Sequence, residues 1–368
     1  MAIDYPHPYL TVSLLDGCNK SCVHCYRTAV PRDHGFKLKR RAAYCSIDDA
    51  TALGTACLFV GGEPTIWADG GVDYIDLLIA AANRHGCTAL LSNGQVFEHQ
   101  HTSNNFIKNF IEGSDARLLL KFTVDIFHGN YDPRSGNIKF IDNLLEAIKL
   151  HDRHRQVSLS FLTHWSRDKN TNMPVAICKS YEALGANTSI EDFMVWGRAE
   201  GITHESCYLE VGNSEKQTLG PLKEQLVAKL ADGGVVENAA DFESLTNREL
   251  LRCLHVCGKS PNFTLSWGEK YYYCIPQMGF HWFSISDIGK LDKVSLADFM
   301  ERRPVIREIQ RRSIFGLMEE YTDLINQEVL DSIECIHESI RFAGCSICLE
   351  LQKHGVLEKI NTALCSGD

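Results

Sequence analysis

The chain predicts an α/β fold, a parallel sheet interleaved with helices, followed by a smaller cysteine-rich α+β module. Three observations carry this. Strand-like apolar runs alternate with helical patterns over roughly the first 200 residues. Cysteines gather near the N-terminus and again beyond residue 250. At 368 residues the chain exceeds what one core usually fills.

The strands and helices follow in order. YLTVSL at 9–14 reads as a strand leading into a cysteine loop, and 46–53 as a short helix. CLFVGG at 57–62 is the second strand, 72–85 a helix, and TALLSN at 88–93 the third strand. A helix near 104–112 precedes LLLKFTVD at 118–125, the fourth strand, and 137–153 is a long helix. VSLSFL at 157–162 and DFMVW at 192–196 are strands five and six, with a helix near 174–184 between them. Six such units imply a parallel sheet with buried strands. Pattern alone fits either a doubly wound open sheet or a partial barrel. The domain division that follows is 1–210 for the sheet, 211–250 for a linker or bridge, and 251–368 for the cysteine-rich module. In the last, 297–311 and 317–341 are helical in pattern, the latter as one helix or two.

Composition excludes several classes. The 37 lysines and arginines face 47 acidic residues, a formal net charge of −10. That disfavours broad nucleic-acid binding, which needs a basic footprint. KLKRR at 37–41 is the dense basic cluster, read as a solvated loop or a cap over an anionic group. No apolar run reaches bilayer length, and MAIDYPHPYL does not resemble a secretion signal, so a cytoplasmic, membrane-free protein is expected. Fifteen cysteines in a reducing compartment point to metal chemistry rather than disulfides. Cys57, Cys87 and Cys178 lie in apolar or helical patterns and read as buried thiols.

DGCNKSCVHCY places Cys18, Cys22 and Cys25 at C-x3-C-x2-C spacing. Three thiolates suit an iron–sulfur cubane with one iron left open to a substrate or cofactor. Structural zinc usually takes four protein ligands. A four-cysteine cluster that recruits a distant thiol also fits the spacing, as do inert or redox thiols. Downstream, LFVGGEPT carries Gly61, Gly62, Glu63 and Pro64. Two glycines allow close backbone approach to a ligand, and Glu63 can accept from an ammonium.

C-x3-C-x2-C followed by an aromatic, here Tyr26, with GGEPT a strand–helix–strand later, resembles the radical SAM superfamily. The resemblance implies a curved, six-stranded partial (β/α)6 TIM barrel with functional groups at the C-terminal strand ends. It implies an open iron that chelates S-adenosylmethionine, and a reduced cluster that cleaves it to methionine and a 5′-deoxyadenosyl radical. It also implies an external one-electron reductant such as flavodoxin or ferredoxin. Gly61, Gly62, Glu63 and Pro64 would line the methionine amino group. Ser92 and Asn93, ending strand three, would meet the ribose or the methionine carboxylate, or cap a turn. Asp125 and Ser160 resemble the family's ribose contacts. His128 is a candidate substrate or proton-holding group. Arg198, in VWGRAEG, is a candidate bidentate partner for a carboxylate.

A second metal site is expected in the C-terminal module. FTLSW and YYYC read as a hairpin around Gly268-Glu269-Lys270, with Cys257 and Cys274 beside it, and CSIC adds Cys345 and Cys348. Four thiolates suit zinc or a closed cluster. The layout resembles the twitch module, a shortened relative of the SPASM domain, which implies an auxiliary 4Fe–4S cluster and so two 4Fe–4S clusters in all. The C-x5-C-x3-C run of SPASM proteins is missing, and Cys253 or Cys335 competes for a place among the four ligands.

The resemblance implies a radical oxidoreductase acting on a small polar substrate: an aminocyclitol, sugar or nucleoside in natural-product or antibiotic biosynthesis. The substrate radical can lose an electron to the auxiliary cluster, which is dehydrogenation. It can instead take hydrogen from a thiol, Cys178 or Cys207, which is epimerisation. The alternatives are radical modification or crosslinking of a ribosomal peptide, and a noncatalytic iron–sulfur or zinc interaction protein.

Overall fold

A computed structural model describes residues 9–21, 30–31, 35–124, 128–132, 137–152, 156–166, 189–193, 206–212, 263–266, 268–273, 283–339 and 344–366. Four strand–helix units come first. They are β1 (Tyr9–Ser13) with α1 (Arg40–Leu53), β2 (Ala56–Val60) with α2 (Tyr74–His85), β3 (Cys87–Ser92) with α3 (Gln100–Gly113), and β4 (Arg117–Val124) with α4 (Ile141–His151). Then come β5 (Val157–Ser166), β6 (Ser189–Phe193) and β7 (Ser206–Gly212).

β1 to β5 are parallel and lie side by side in chain order. A doubly wound sheet reverses its strand order part-way. This run does not, which is compatible with a partial barrel. The sixth strand departs from expectation. β7 lies between β5 and β6 and is antiparallel to both. It falls in a stretch that reads as polar connection, although Cys207, Leu209 and Val211 alternate with Tyr208 and Glu210 at the period of a strand.

Side-chain alternation divides the sheet into two faces. Leu10, Val12, Phe59, Leu90, Leu118, Leu120, Phe122 and Val124 pack in the main core with Leu77, Leu78, Phe106, Ile107, Phe110 and Leu144 from the helices. On the opposite face Leu58, Val60 and Ala89 form a smaller cluster with Tyr9, Leu91 and Leu119. Complete burial of one such phenylalanine contributes about 1.5–3 kcal/mol.

α1 starts six residues earlier than the expected helix, so Arg40 and Arg41 of the basic run form its first turn rather than a loop. Arginine is a good helix former, and Ala42 and Ala43 bury its inner face. Asn137–Ile138, expected to open α4, instead pairs with Tyr131–Asp132 as a short ribbon. The helix expected at 174–184 lies outside the described residues.

The C-terminal hairpin forms as expected. β8 (Thr264–Leu265) and β9 (Lys270–Tyr272) are antiparallel, and Glu269 turns between them at φ 59°. β8 also pairs in parallel with β1, and β10 (Ser284–Asp287) closes the edge, so the hairpin extends the same sheet, ten-stranded among the described residues. Five helices follow: α5 (Lys293–Arg302), α6 (Pro304–Glu320), α7 (Gln327–Ser339), α8 (Gly344–Lys353) and α9 (Val356–Ser366). The expected 297–311 helix is two helices, because Pro304 lacks an N–H and starts a new one. The 317–341 pattern is the two-helix alternative, broken between Glu320 and Gln327. Among the described residues no helix is long and apolar enough to cross a membrane.

Candidate functional site

The C-terminal ends of β1 to β4 converge on the loop that carries Cys18. Leaving β1, residues 14–18 run between two other segments. On one side Leu14 N–H donates to the Val60 carbonyl at 2.8 Å, Gly62 N–H to Leu15 at 2.8 Å, and Glu63 N–H to Gly17 at 2.9 Å. On the other, Asp16 N–H donates to Phe36 at 3.0 Å and Leu38 N–H to Leu14 at 2.7 Å. The paired glycines have a use visible here. A Cβ on Gly61 would lie 2.6 Å from the Leu15 carbonyl oxygen, and one on Gly62 would collide with the Gly17 carbonyl. The close approach they permit among the described residues is to the chain's own cysteine loop.

Glu63 sits beneath that loop, 1% exposed. Its Oε1 accepts from Thr65 Oγ1 at 2.6 Å, Ser92 Oγ at 2.8 Å and Thr65 N–H at 3.2 Å, and its Oε2 accepts from Asn93 N–H at 2.8 Å. Burial pushes its carboxyl above the usual range, and the donated hydrogen bonds oppose that shift. The carboxylate therefore ties β2 to the end of β3 from within.

Asn93 passes this order on to the cysteine loop. Its Nδ2 donates to Asn19 Oδ1 at 2.8 Å and lies 4.0 Å from Cys18 Sγ. Its Oδ1 accepts from Gln95 N–H at 3.0 Å. Gly94 turns at φ 78° against Phe140, whose ring occupies the space a Cβ would need. Asn130 Nδ2 donates to the carbonyls of Asn93 at 2.9 Å and Thr123 at 2.7 Å, which ties in the end of β4. Lys20 Nζ donates to the His128 carbonyl, which brings His128 beside the loop.

Cys18 is half-buried, and the Lys20 N–H donates to its sulfur at 3.4 Å. The same sulfur lies 3.7 Å from Asn19 Oδ1 and 4.0 Å from Asn93 Nδ2, and N–H groups of this kind can pair with a metal-bound sulfur. The donor chemistry at Cys18 thus fits a cluster ligand.

Among the expected site residues, Cys18, Gly61, Gly62, Glu63, Pro64, Ser92, Asn93 and His128 come together here. Cys22, Cys25, Tyr26, Asp125, Cys178, Arg198, Cys257 and Cys274 lie outside the described residues. Ser160 falls mid-strand, opposite Lys121, because β5 runs on to Ser166; the position aligned with Val124 at the end of β4 is Thr163. Cys207, on β7, pairs in register with Trp165 of β5. Cys345 and Cys348 are one turn apart in α8, and Cys348 is buried. Sequence reading missed Asn19, Lys20, Thr65 and Asn130. The first two lie inside the cysteine run, where the ligands dominate the pattern, and the other two act through turns that only the fold assembles.

No family model matches the chain. A stretch of 95 residues is 32% identical to part of Fe-coproporphyrin III synthase from Methanosarcina barkeri, covering 25% of this chain and 23% of that protein.

Proposed function

We propose that this chain is a radical SAM enzyme, binding a 4Fe–4S cluster through Cys18, Cys22 and Cys25 and S-adenosylmethionine at the C-terminal ends of β1 to β4. The observation that carries this reading is the hydrogen-bonded chain from Glu63 through Asn93 to the Cys18 loop, at one end of a parallel sheet. The partial similarity to Fe-coproporphyrin III synthase supports the superfamily. When bound, the cluster and S-adenosylmethionine supply a 5′-deoxyadenosyl radical for hydrogen abstraction. The chain's own residues prepare the place. Lys20 N–H donates to the Cys18 sulfur, Glu63 and Ser92 hold the strand ends, and Asn93 orients the loop. Leu58, Val60 and Ala89, with the partly buried Leu91 and Leu119, give the sheet an apolar face opposite the main core.

Within this reading the substrate is a small hydroxyl-bearing molecule, dehydrogenated or epimerised, with His128 and Arg198 as polar contacts and Cys178 or Cys207 as the hydrogen-donating thiol. Cys257, Cys274, Cys345 and Cys348 would hold a second cluster, which would supply an electron acceptor for dehydrogenation. A second reading, a porphyrin-type substrate, is favoured by the partial similarity to Fe-coproporphyrin III synthase.

Anaerobic reconstitution followed by iron, sulfide and zinc assays tests the cofactor reading. About eight irons, little zinc and reductant-dependent 5′-deoxyadenosine are expected. A protein that loads zinc and leaves S-adenosylmethionine intact overturns it. Deuterium transfer into 5′-deoxyadenosine from labelled cyclitols or sugars, set against turnover of coproporphyrin, separates the two substrate readings.

A further inference from the structure

We propose that Phe36, Lys39 and Arg41 form the docking surface for an acidic one-electron carrier protein that delivers its electron at the Cys18 loop. The proposal rests on the cluster reading above and names the partner of that site.

Position comes first. Residues 35–38 run directly alongside residues 14–18: the Phe36 carbonyl accepts from Asp16 N–H at 3.0 Å, and Leu15 and Lys37 form an isolated bridge. A Cβ on Gly35 would collide with the Gly17 backbone. Phe36 is therefore hydrogen-bonded to a residue two positions before Cys18. A protein seated on it lies against the cysteine loop.

Exposure and charge come next. Phe36 is 70% exposed, whereas Phe59, Phe97, Phe106, Phe110 and Phe122 are buried. Lys37, Lys39, Arg40 and Arg41 are all exposed, although the chain carries a formal net charge of −10. Asp69 offsets part of this, pairing with Lys37 Nζ at 3.3 Å and accepting from Arg40 N–H at 2.8 Å, while the Arg40 guanidinium donates to the Gly70 carbonyl at 3.1 Å. These contacts fix the frame on which Lys39 and Arg41 stand.

α1 has no acidic residue in its first turn and no side-chain cap from Lys39. The Asp69 carboxylate, which accepts from Arg40 N–H at 2.8 Å, offsets the positive dipole end from outside the helix and leaves the field of the exposed Lys39 and Arg41. The same field attracts an acidic partner. Electron-transfer encounters use small interfaces steered by complementary charge, with rim charges acting mainly on the association rate. One exposed aromatic ringed by cations suits that kind of contact. The transfer moves one electron from the reduced carrier to the oxidised cluster, forming no bond and releasing no group.

The test uses the anaerobically reconstituted full chain and reduced flavodoxin, an acidic flavin protein, with dithionite as the small reductant. Lys39→Glu/Arg41→Glu and, separately, Phe36→Ser are compared with the wild type by stopped-flow absorbance. Iron content and circular dichroism confirm folding. The proposal expects wild-type reduction by flavodoxin to slow with rising salt. It expects the charge variant to be at least about tenfold slower and nearly salt-independent, and Phe36→Ser to be slower with its salt dependence kept. Dithionite should reduce all three equally. Flavodoxin kinetics that are alike in wild type and variants overturn the proposal. So does a variant that changes only self-association or RNA retention, which assigns the patch to a second copy or to nucleic acid. A wild type that dithionite cannot reduce, or that carries no iron, overturns the cluster reading itself and the docking proposal with it.

Discussion

The backbone N–H of Asn93 donates to Glu63 Oε2 at 2.8 Å, so the turn after β3 is held by the carboxylate that follows β2. Both Glu63 oxygens are engaged inside the protein, with Thr65 and Ser92 completing the set. Asn93 then reaches Asn19 in the cysteine loop. The acidic residue of GGEPT is thus part of the frame that positions Cys18, whatever it contacts when ligand is bound.

Glu63→Gln should show this double role. An amide in place of the carboxylate turns one acceptor into a donor facing Ser92, Thr65 or Asn93. A stability loss of about 1–3 kcal/mol is expected, together with weaker S-adenosylmethionine binding, measured by anaerobic denaturation and calorimetry. Ser92→Ala removes one donor and leaves the charge. If framing matters, it too should weaken cofactor binding. Full affinity in Ser92→Ala together with a large loss in Glu63→Gln would mean that the charge acts directly on the ligand.

Gly62→Ala should loosen the cysteine loop, because the added methyl meets the Gly17 carbonyl. Overpacking of this kind typically costs 1–3 kcal/mol, about the worth of several hydrogen bonds. The expected readout is loss of iron from the Cys18 site, about four atoms per chain. Unchanged iron content and stability in Gly62→Ala would contradict the packing seen here.

Replacing Cys18, Cys22 and Cys25 together with alanine should abolish 5′-deoxyadenosine formation and leave about four irons at the second site. Iron analysis and chromatography of the nucleoside measure both. Full cleavage in that variant would move the reactive cluster elsewhere in the chain.

Asp49 joins α1 to the C-terminal hairpin, accepting from Tyr271 Oη at 2.7 Å and Gly289 N–H at 2.8 Å. Burial raises its carboxyl above its ordinary value of 3.8, against the pull of these hydrogen bonds. The folded protein therefore holds this proton after the unfolded chain has released it. Asp49's contribution to stability then falls as pH rises from about 3.8 through the folded value. Tyr271→Phe removes a donor and should raise that value further. The variant should lose about 1–3 kcal/mol near neutrality and less at pH 4. Denaturant midpoints across that range give the comparison, and a pH-independent loss would rule out the Asp49 contact as its cause.

The alternation of strands and helices from Tyr9 to His151, the hairpin at Gly268–Lys270 and the two cysteine groups were legible in the sequence alone. They depend on local period, turn chemistry and spacing, which neighbouring residues set among themselves. The insertion of β7 between β5 and β6 was not legible, nor was the pairing of β8 with β1, because strand partners are chosen over long separations by the packing of whole faces. The split at Pro304 could have been read from the residue itself; the early start of α1 could not, since a basic run is equally at home in a loop. The same distinction holds at the site. Cys18, Glu63 and Asn93 stand out as residues in the chain, 75 positions apart from first to last. Only the tertiary structure decided that a buried carboxylate and a single amide link them, because a hydrogen bond between strand ends exists only once the strands lie side by side.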